Sequence, residues 1–152
     1  MRNLLTATAA ALLVAGLGAQ PAMAADDADA AVQHRKDVMT IAGASMGSLG
    51  CFMKGDCALD GKVLARLAKS IAFAGELSVP AFEVDTRDSM ADTTALPAIW
   101  ENWDTFEGGL NAMSAAADEL AVAAADADPQ AMGPLMQKLG GTCKDCHDNF
   151  RD

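Results

Sequence analysis

The sequence has no tyrosine, and its β-branched residues seldom fall together. It therefore lacks the alternating apolar and polar runs from which a half-buried sheet is built. No strand pair, internal repeat or low-complexity linker is legible. Positive charge is scarce: 11 Lys and Arg stand against 21 Asp and Glu, a formal net charge of −10. That balance argues against nucleic acid or an anionic membrane surface as partner and is compatible with a basic protein partner. Long apolar runs are missing except near the start, where residues 4–17 follow Arg2 and the stretch closes with Ala22-Met23-Ala24. That run is shorter and richer in Ala and Gly than a membrane span requires. It reads as a secretion signal, residues 1–24, cut after Ala24. Residues 25–152 then form one exported domain, one unit more negative for the loss of Arg2.

What fills the segments between breakers is Ala, Leu, Met, Lys and Glu, all good helix formers, so an all-α fold is expected. A first helix is predicted over 29–54, with Val32, Arg35, Met39, Ala42, Met46 and Leu49 on one stripe. Gly43, Gly47 and Gly50 interrupt it, and glycines on such a stripe let a flat, bulky group approach the backbone. A second helix starts near Asp60, carries Val63, Leu64, Leu67, Ile71 and Phe73, and stops at Pro80. Residues 79–96 form a long surface connection tied down by Phe82 or Met90. Pro97 opens a third helix carrying Ile99, Trp100, Trp103, Phe106, Leu110, Met113, Ala117 and Leu120 to about Ala125. Asp128-Pro129 starts a fourth, through Met132, Leu135, Met136 and Leu139, loosened at Gly140-Gly141. These are the ingredients of an antiparallel four-helix bundle, which places cofactors between facing helices.

Cys143-Lys144-Asp145-Cys146-His147 carries the chemistry. Two thiols three residues apart on a helix can each add across a haem vinyl group, and the following residue offers an imidazole to iron. The pattern is the attachment signature of c-type haem. A redox C-x-x-C wants a strand-helix context that is absent here. A zinc site would need Cys51 and Cys57 to join Cys143 and Cys146, leaving His147 without a purpose. One covalent haem c, with His147 as iron ligand, is the expected cofactor.

Several residues in order extend the signal: His34-Arg35 with Met39, Lys54-Gly55, Ile99-Trp100 with Phe106, and Cys146-His147-Asp148-Asn149-Phe150-Arg151. Over residues 30–152 the chain resembles the cytochrome c′ family, the class II c-type cytochromes. The resemblance implies a four-helix bundle with haem attached near the C-terminus. It also implies His147 as proximal ligand, Arg35 near a propionate, Met39 on the distal side of the iron and Arg151 beside the proximal histidine. Arg35 and Met39 lie one turn apart and share a face. Such a protein works in the periplasm with a redox partner protein, can form a homodimer, and meets no membrane after signal cleavage.

An unbonded Met39 leaves iron five-coordinate and open to NO or CO. A bonded one makes a low-spin electron carrier, the alternative reading. A peroxidase-like enzyme would want a distal acid-base group, and no carboxylate or histidine shares the Arg35/Met39 stripe. The expectation is therefore a redox or ligand-binding protein, not an enzyme. His34 sits beside Arg35 rather than in line with Met39 and reads as a surface residue. Trp100, Trp103 and Phe106 read as packing, partly against the porphyrin edge. Cys51 and Cys57 depart from the family pattern. In an exported protein they form a local disulfide between the first two helices, or else an intermolecular bridge or reactive thiols, and a local bridge there puts the usual dimer in doubt.

Overall fold

The structure is a computed structural model that describes the backbone over residues 22–152 and side-chain surroundings from residue 27. Most of the expected secretion signal thus lies outside the described residues. Five helices follow: α1 (Ala22–Lys54), α2 (Gly61–Glu83), α3 (Ala98–Glu101), α4 (Trp103–Ala124) and α5 (Pro129–Phe150). The four long ones form the expected bundle.

Neighbouring helices run antiparallel, as the cross-contacts show. On α2 and α4, Lys69 pairs with Asp118 at one level while Gly75 lies against Leu110 and Ser114 at another. Between α4 and α5, Lys138 pairs with Glu119 at one end and Phe150 meets the Phe106 ring at the other. On α1 and α2, Val38 and Ala42 pack with Ala74 and Leu77, and Arg35 reaches Ala81 further along. The core holds Leu49, Leu64, Ile71, Ile99, Leu120, Met132 and Leu139 at almost no exposure. The stripe expected on α1 faces inward throughout: Val32, Arg35, Ala42 and Leu49 are buried, and Met39 and Met46 are half-buried.

Several boundaries differ from the sequence expectation, each for a local reason. α1 begins at Ala22, ahead of residue 29 and across the expected cleavage point, since the alanine-rich stretch has no breaker. α2 continues through Pro80 to Glu83. Proline removes one helical hydrogen bond, but the extra turn buries Ala81 and Phe82, and Arg35 caps the turn's free Ala81 carbonyl. The expected third helix is split at Asn102 (φ −130°, ψ 46°), separating α3 from α4. Hydrogen bonds Asn102 N–H to Ala98 O and Phe106 N–H to Asn102 O carry the ladder past the break. α5 runs unbroken through Gly140-Gly141, with Leu139 fully buried just before them.

Phe73, expected inside, is 57% exposed, because Leu64, Ala68, Ile71, Gly75, Ser78 and Phe82 hold the buried stripe at steps of three and four. Phe82 does anchor the connection after α2, whereas Met90 is fully exposed. Cys51 and Cys57 form a disulfide with their Cα atoms 5.6 Å apart, clamping the α1–α2 turn in which Gly55 takes φ +76°.

Gly75 marks a close approach of α2 and α4. A Cβ there would lie 2.1 Å from Ser114 Oγ and 3.1 Å from the Leu110 carbonyl. Gly75→Ala is expected to lose about 1–3 kcal/mol of stability despite its better helix propensity, measured by urea unfolding of the purified protein.

Candidate haem site

α1 packs on α2, α2 on α4 and α4 on α5, but α1 and α5 scarcely touch. The fourth side of the bundle is a cleft of about 780 Å³. That is a size suited to a cofactor or drug-sized ligand. Val32, Arg35, Met39, Ala42, Gly43 and Met46 line it from α1, and Gly140, Cys143, Cys146, His147 and Phe150 from α5. Ile71, Phe82, Phe106, Leu110 and Met113 close the apolar back wall, and residues 93–95 of the α2–α3 connection close one end. Arg151 also lines the cleft, so all six residues expected at the site from sequence meet there. His34 is exposed and absent from the lining, as its position next to Arg35 suggested.

Helical geometry explains the arrangement on α5. Cys143 and Cys146 are three residues apart and His147 four beyond Cys143, so one face of the last turns carries all three. Both thiols are free and half-buried. Burial pushes the Cys143 thiol up, against the smaller effect of a Thr142 hydrogen bond, and burial likewise raises Cys146. Partial burial lowers His147, helped by the Arg151 charge and opposed by Asp148. A shift in that direction favours the neutral ring, the form whose lone pair binds a metal. Among the described residues no carboxylate lines the cleft.

Arg35 sits at the opposite wall and is 3% exposed. Its Nε donates to the Ala81 carbonyl at 2.8 Å, Nη1 to Thr86 Oγ1 at 2.8 Å, and Nη2 to the Val84 carbonyl. The guanidinium lies 4.7 Å from the Phe82 ring centroid and 5.3 Å from that of Trp100, whose Nε1 donates to the Phe82 carbonyl. Burial lowers its pKa and Asp85 opposes the shift. The three hydrogen bonds use three of five N–H donors, so two remain for an anion at the cleft edge. Thr86, which is buried, and residues 93–95 are site features with no signal in the sequence pattern. Met46 is a different case, for its place seven residues after Met39 on the same stripe was readable.

The residues present suit a haem. Gly43, Gly109 and Gly140, one on each of three helices, line the cleft, and a Cβ on any of them would meet nothing within 4 Å. Open space thus stands before three backbones where a flat macrocycle would lie. Cys51 and Cys57 are bonded to each other, which removes the four-cysteine zinc alternative.

The sequence pattern of the Cytochrome C' family matches residues 30–151. The chain belongs to the cytochrome c′ family. It is 39% identical over 130 residues to the cytochrome c′ of Rhodospirillum rubrum, covering 86% of each chain. To cytochrome c-554 of Cereibacter sphaeroides it is 32% identical over 143 residues, 91% of this chain and 93% of the relative. The solved structure of cytochrome c prime from Shewanella frigidimarina superposes with a TM-score of 0.74 at 26% identity, over 82% of this chain and 96% of that one. Cytochrome c′ proteins carry covalently attached haem c. This chain is accordingly a monohaem c-type cytochrome built as a four-helix bundle.

Replacing Arg35 by Leu would strand two backbone carbonyls and the Thr86 hydroxyl in a buried place, a loss of about 3 kcal/mol. Arg35→Lys is expected to recover only part of it, because one ammonium cannot span three acceptors in a planar fork. Thermal and urea unfolding of the two variants would check the order.

Proposed function

We propose that this cytochrome c′ family member is an exported electron-transfer and diatomic-gas-binding protein that turns over no substrate. The α1–α5 cleft carries this reading, with two free thiols and the His147 imidazole on one wall and the Met39 thioether on the other. In the proposed holoprotein Cys143 and Cys146 would hold the haem as thioethers, each S–H adding across one vinyl group, sulfur to one carbon and hydrogen to the other, so that nothing would be oxidised. His147 would hold the iron. Arg35 offers its two spare N–H groups to a propionate, and Arg151 lies beside the imidazole. Bound haem supplies reversible one-electron chemistry and an iron coordination site. The apolar side chains around Met39 would limit water there, and partial burial favours the neutral form of the imidazole.

Turnover of a peroxide-like substrate needs an acid-base group over the iron. The cleft lining holds no carboxylate among the described residues, and His147 is its one imidazole. The cleft lining around Met39 is mainly apolar, with Ala42, Met46, Leu110 and Met113, and carries Lys36 and Thr40 beside it. Such a face suits NO or CO, small neutral ligands that need no charged partner. A second reading makes Met39 the sixth ligand. It is favoured by the thioether's place on the wall facing α5, and a Met/His pair raises the reduction potential.

Export is the part of the proposal that residues 1–24 carry, with the acidic mature surface leaving a basic redox protein as the compatible partner. The family's homodimer is the weaker part of the reading, because the local Cys51–Cys57 bridge clamps the α1–α2 turn and weighs against the usual dimer.

Protein made in a host with c-type maturation machinery is expected to carry one haem mass that acid-acetone does not extract. Cys143→Ala/Cys146→Ala should lose the covalent mass, and wild-type protein lacking it would overturn the proposal. The reduced visible spectrum is expected to be high-spin and to sharpen with CO or NO. A low-spin spectrum with a sulfur-to-iron charge-transfer band would instead establish Met39 ligation, and only then should Met39→Ala change coordination. N-terminal sequencing of periplasmic protein is expected to start at Ala25, and an intact Met1 would sink the export claim.

A further inference from the structure

The last turn of α5, where His147 stands, is held from outside the bundle. Between α2 and α3 the chain runs as a strap over one end of the cleft, with residues 93–95 in its lining. Two backbone hydrogen bonds tie this strap to the C-terminus: Leu96 N–H to Phe150 O at 3.0 Å and Asp152 N–H to Thr94 O at 2.9 Å. They make an isolated antiparallel bridge between Ala95 and Arg151. Directly behind the bridge, the Arg151 N–H caps the His147 carbonyl at 3.1 Å.

The strap's other end is also fixed. Arg35 of α1 holds Val84 O and Thr86 Oγ1. The strap thus connects α1 to the end of α5, two helices that hardly touch each other directly. A helix C-terminus ordinarily frays, since its last carbonyls lack intrahelical partners. Here the fraying end bears the imidazole, and the bridge removes that freedom. It also fixes the backbone of Arg151, so that this side chain leaves on the side of the bridge shared with Ala95, and both line the cleft.

We infer that strap residues 94–96 are positioning elements for the His147 imidazole, acting through backbone hydrogen bonds to the C-terminal residues. The inference rests on the reading of His147 as the iron ligand. The bridge acts as an outer support for a metal ligand, of the kind that fixes ring orientation and tunes the metal.

The Asp152 amide can be removed alone. Arg151 has φ −133° and ψ 136°, the extended conformation that a following proline accepts. Asp152→Pro therefore deletes one N–H without straining its neighbour, while Asp152→Ala keeps the N–H and removes only the carboxylate. A chain ending at Arg151 lacks the same amide by a second route. The readout is the proton NMR spectrum of ferric holoprotein, in which hyperfine-shifted His147 ring and haem methyl resonances report imidazole orientation, together with the reduction potential.

Asp152→Pro and the shortened chain are expected to shift and broaden these resonances and move the potential, with haem mass and urea midpoint retained. Asp152→Ala is expected to match wild type. Spectra of Asp152→Pro and the shortened chain that superpose on wild type would overturn the inference and leave the haem reading standing. So would an Asp152→Ala spectrum displaced as far as that of Asp152→Pro. Wild-type holoprotein showing no histidine-ligated haem would instead overturn the site reading, and the inference with it.

Discussion

The feature on which the rest of the molecule depends is the contact that α1 and α5 do not make. Three sides of the bundle are closed by helix packing and the fourth is an apolar cleft. Burying apolar surface is worth about 25 cal/mol for each Å², so an apolar cleft of this size is a place where a flat apolar group completes the core. Small side chains make the gap deeper: Gly43, Gly109 and Gly140 give up packing that larger residues would have supplied. A bundle evolved only for stability would close this seam with leucine. The chain instead keeps it open and places two thiols and an imidazole on its rim, which makes the cofactor the missing part of the core. Ligand binding to the folded state alone adds stability by mass action, and a covalent ligand never dissociates.

The open side would let α1 and α5 drift apart unless something else linked them, and an aromatic chain does so. The Arg35 guanidinium lies over Phe82, the Phe82 ring meets Phe106 edge-on at 4.8 Å, and Phe106 meets Phe150 at 5.2 Å. These contacts cross all four helices behind the cleft. Tilted and edge-on rings at this spacing contribute about 0.5–1.5 kcal/mol a pair beyond burial. The strap repeats the connection in front. The Cys51–Cys57 disulfide, by contrast, clamps the α1–α2 turn at the other end of the bundle, so the two kinds of cross-link serve opposite ends.

How far the sequence revealed this depends on whether a feature is local. Cys143, Cys146 and His147 were legible because their chemistry lies in their spacing on one helix. Arg35 and Met39 were legible because one turn separates them, and the α1 stripe because burial follows the helical period. Boundaries were harder. Pro80 argued for a stop that packing of Phe82 overrode, and nothing in residues 97–106 announces the break at Asn102. Phe73 looked like core because it is aromatic, although its phase on α2 places it outside. The partners of Arg35 were out of reach altogether. They lie 46 to 51 residues away, and two of the three are backbone carbonyls, which every residue possesses. The strap's pairing with the C-terminus was hidden for the same reason, since backbone amides leave no trace in residue type.

That concealment bears on what sets the iron's coordination in the proposed holoprotein. Met39 stands one turn after Arg35 on α1, so the three hydrogen bonds of Arg35 hold the stretch of helix from which Met39 reaches the cleft lining. His147 belongs to the turn that the strap holds from the other side. The α1 turn before Met39 and the α5 turn of His147 are thereby both tied to one segment, residues 84–96. A metal–sulfur bond forms or fails over a fraction of an ångström, while a methionine side chain adapts readily within its own pocket. In the proposed holoprotein the strap is then a second lever on five- or six-coordination, beside the identity of the residue at position 39. Two chains with the same C-x-x-C-H motif and the same distal methionine can differ in ligation through substitutions that touch neither.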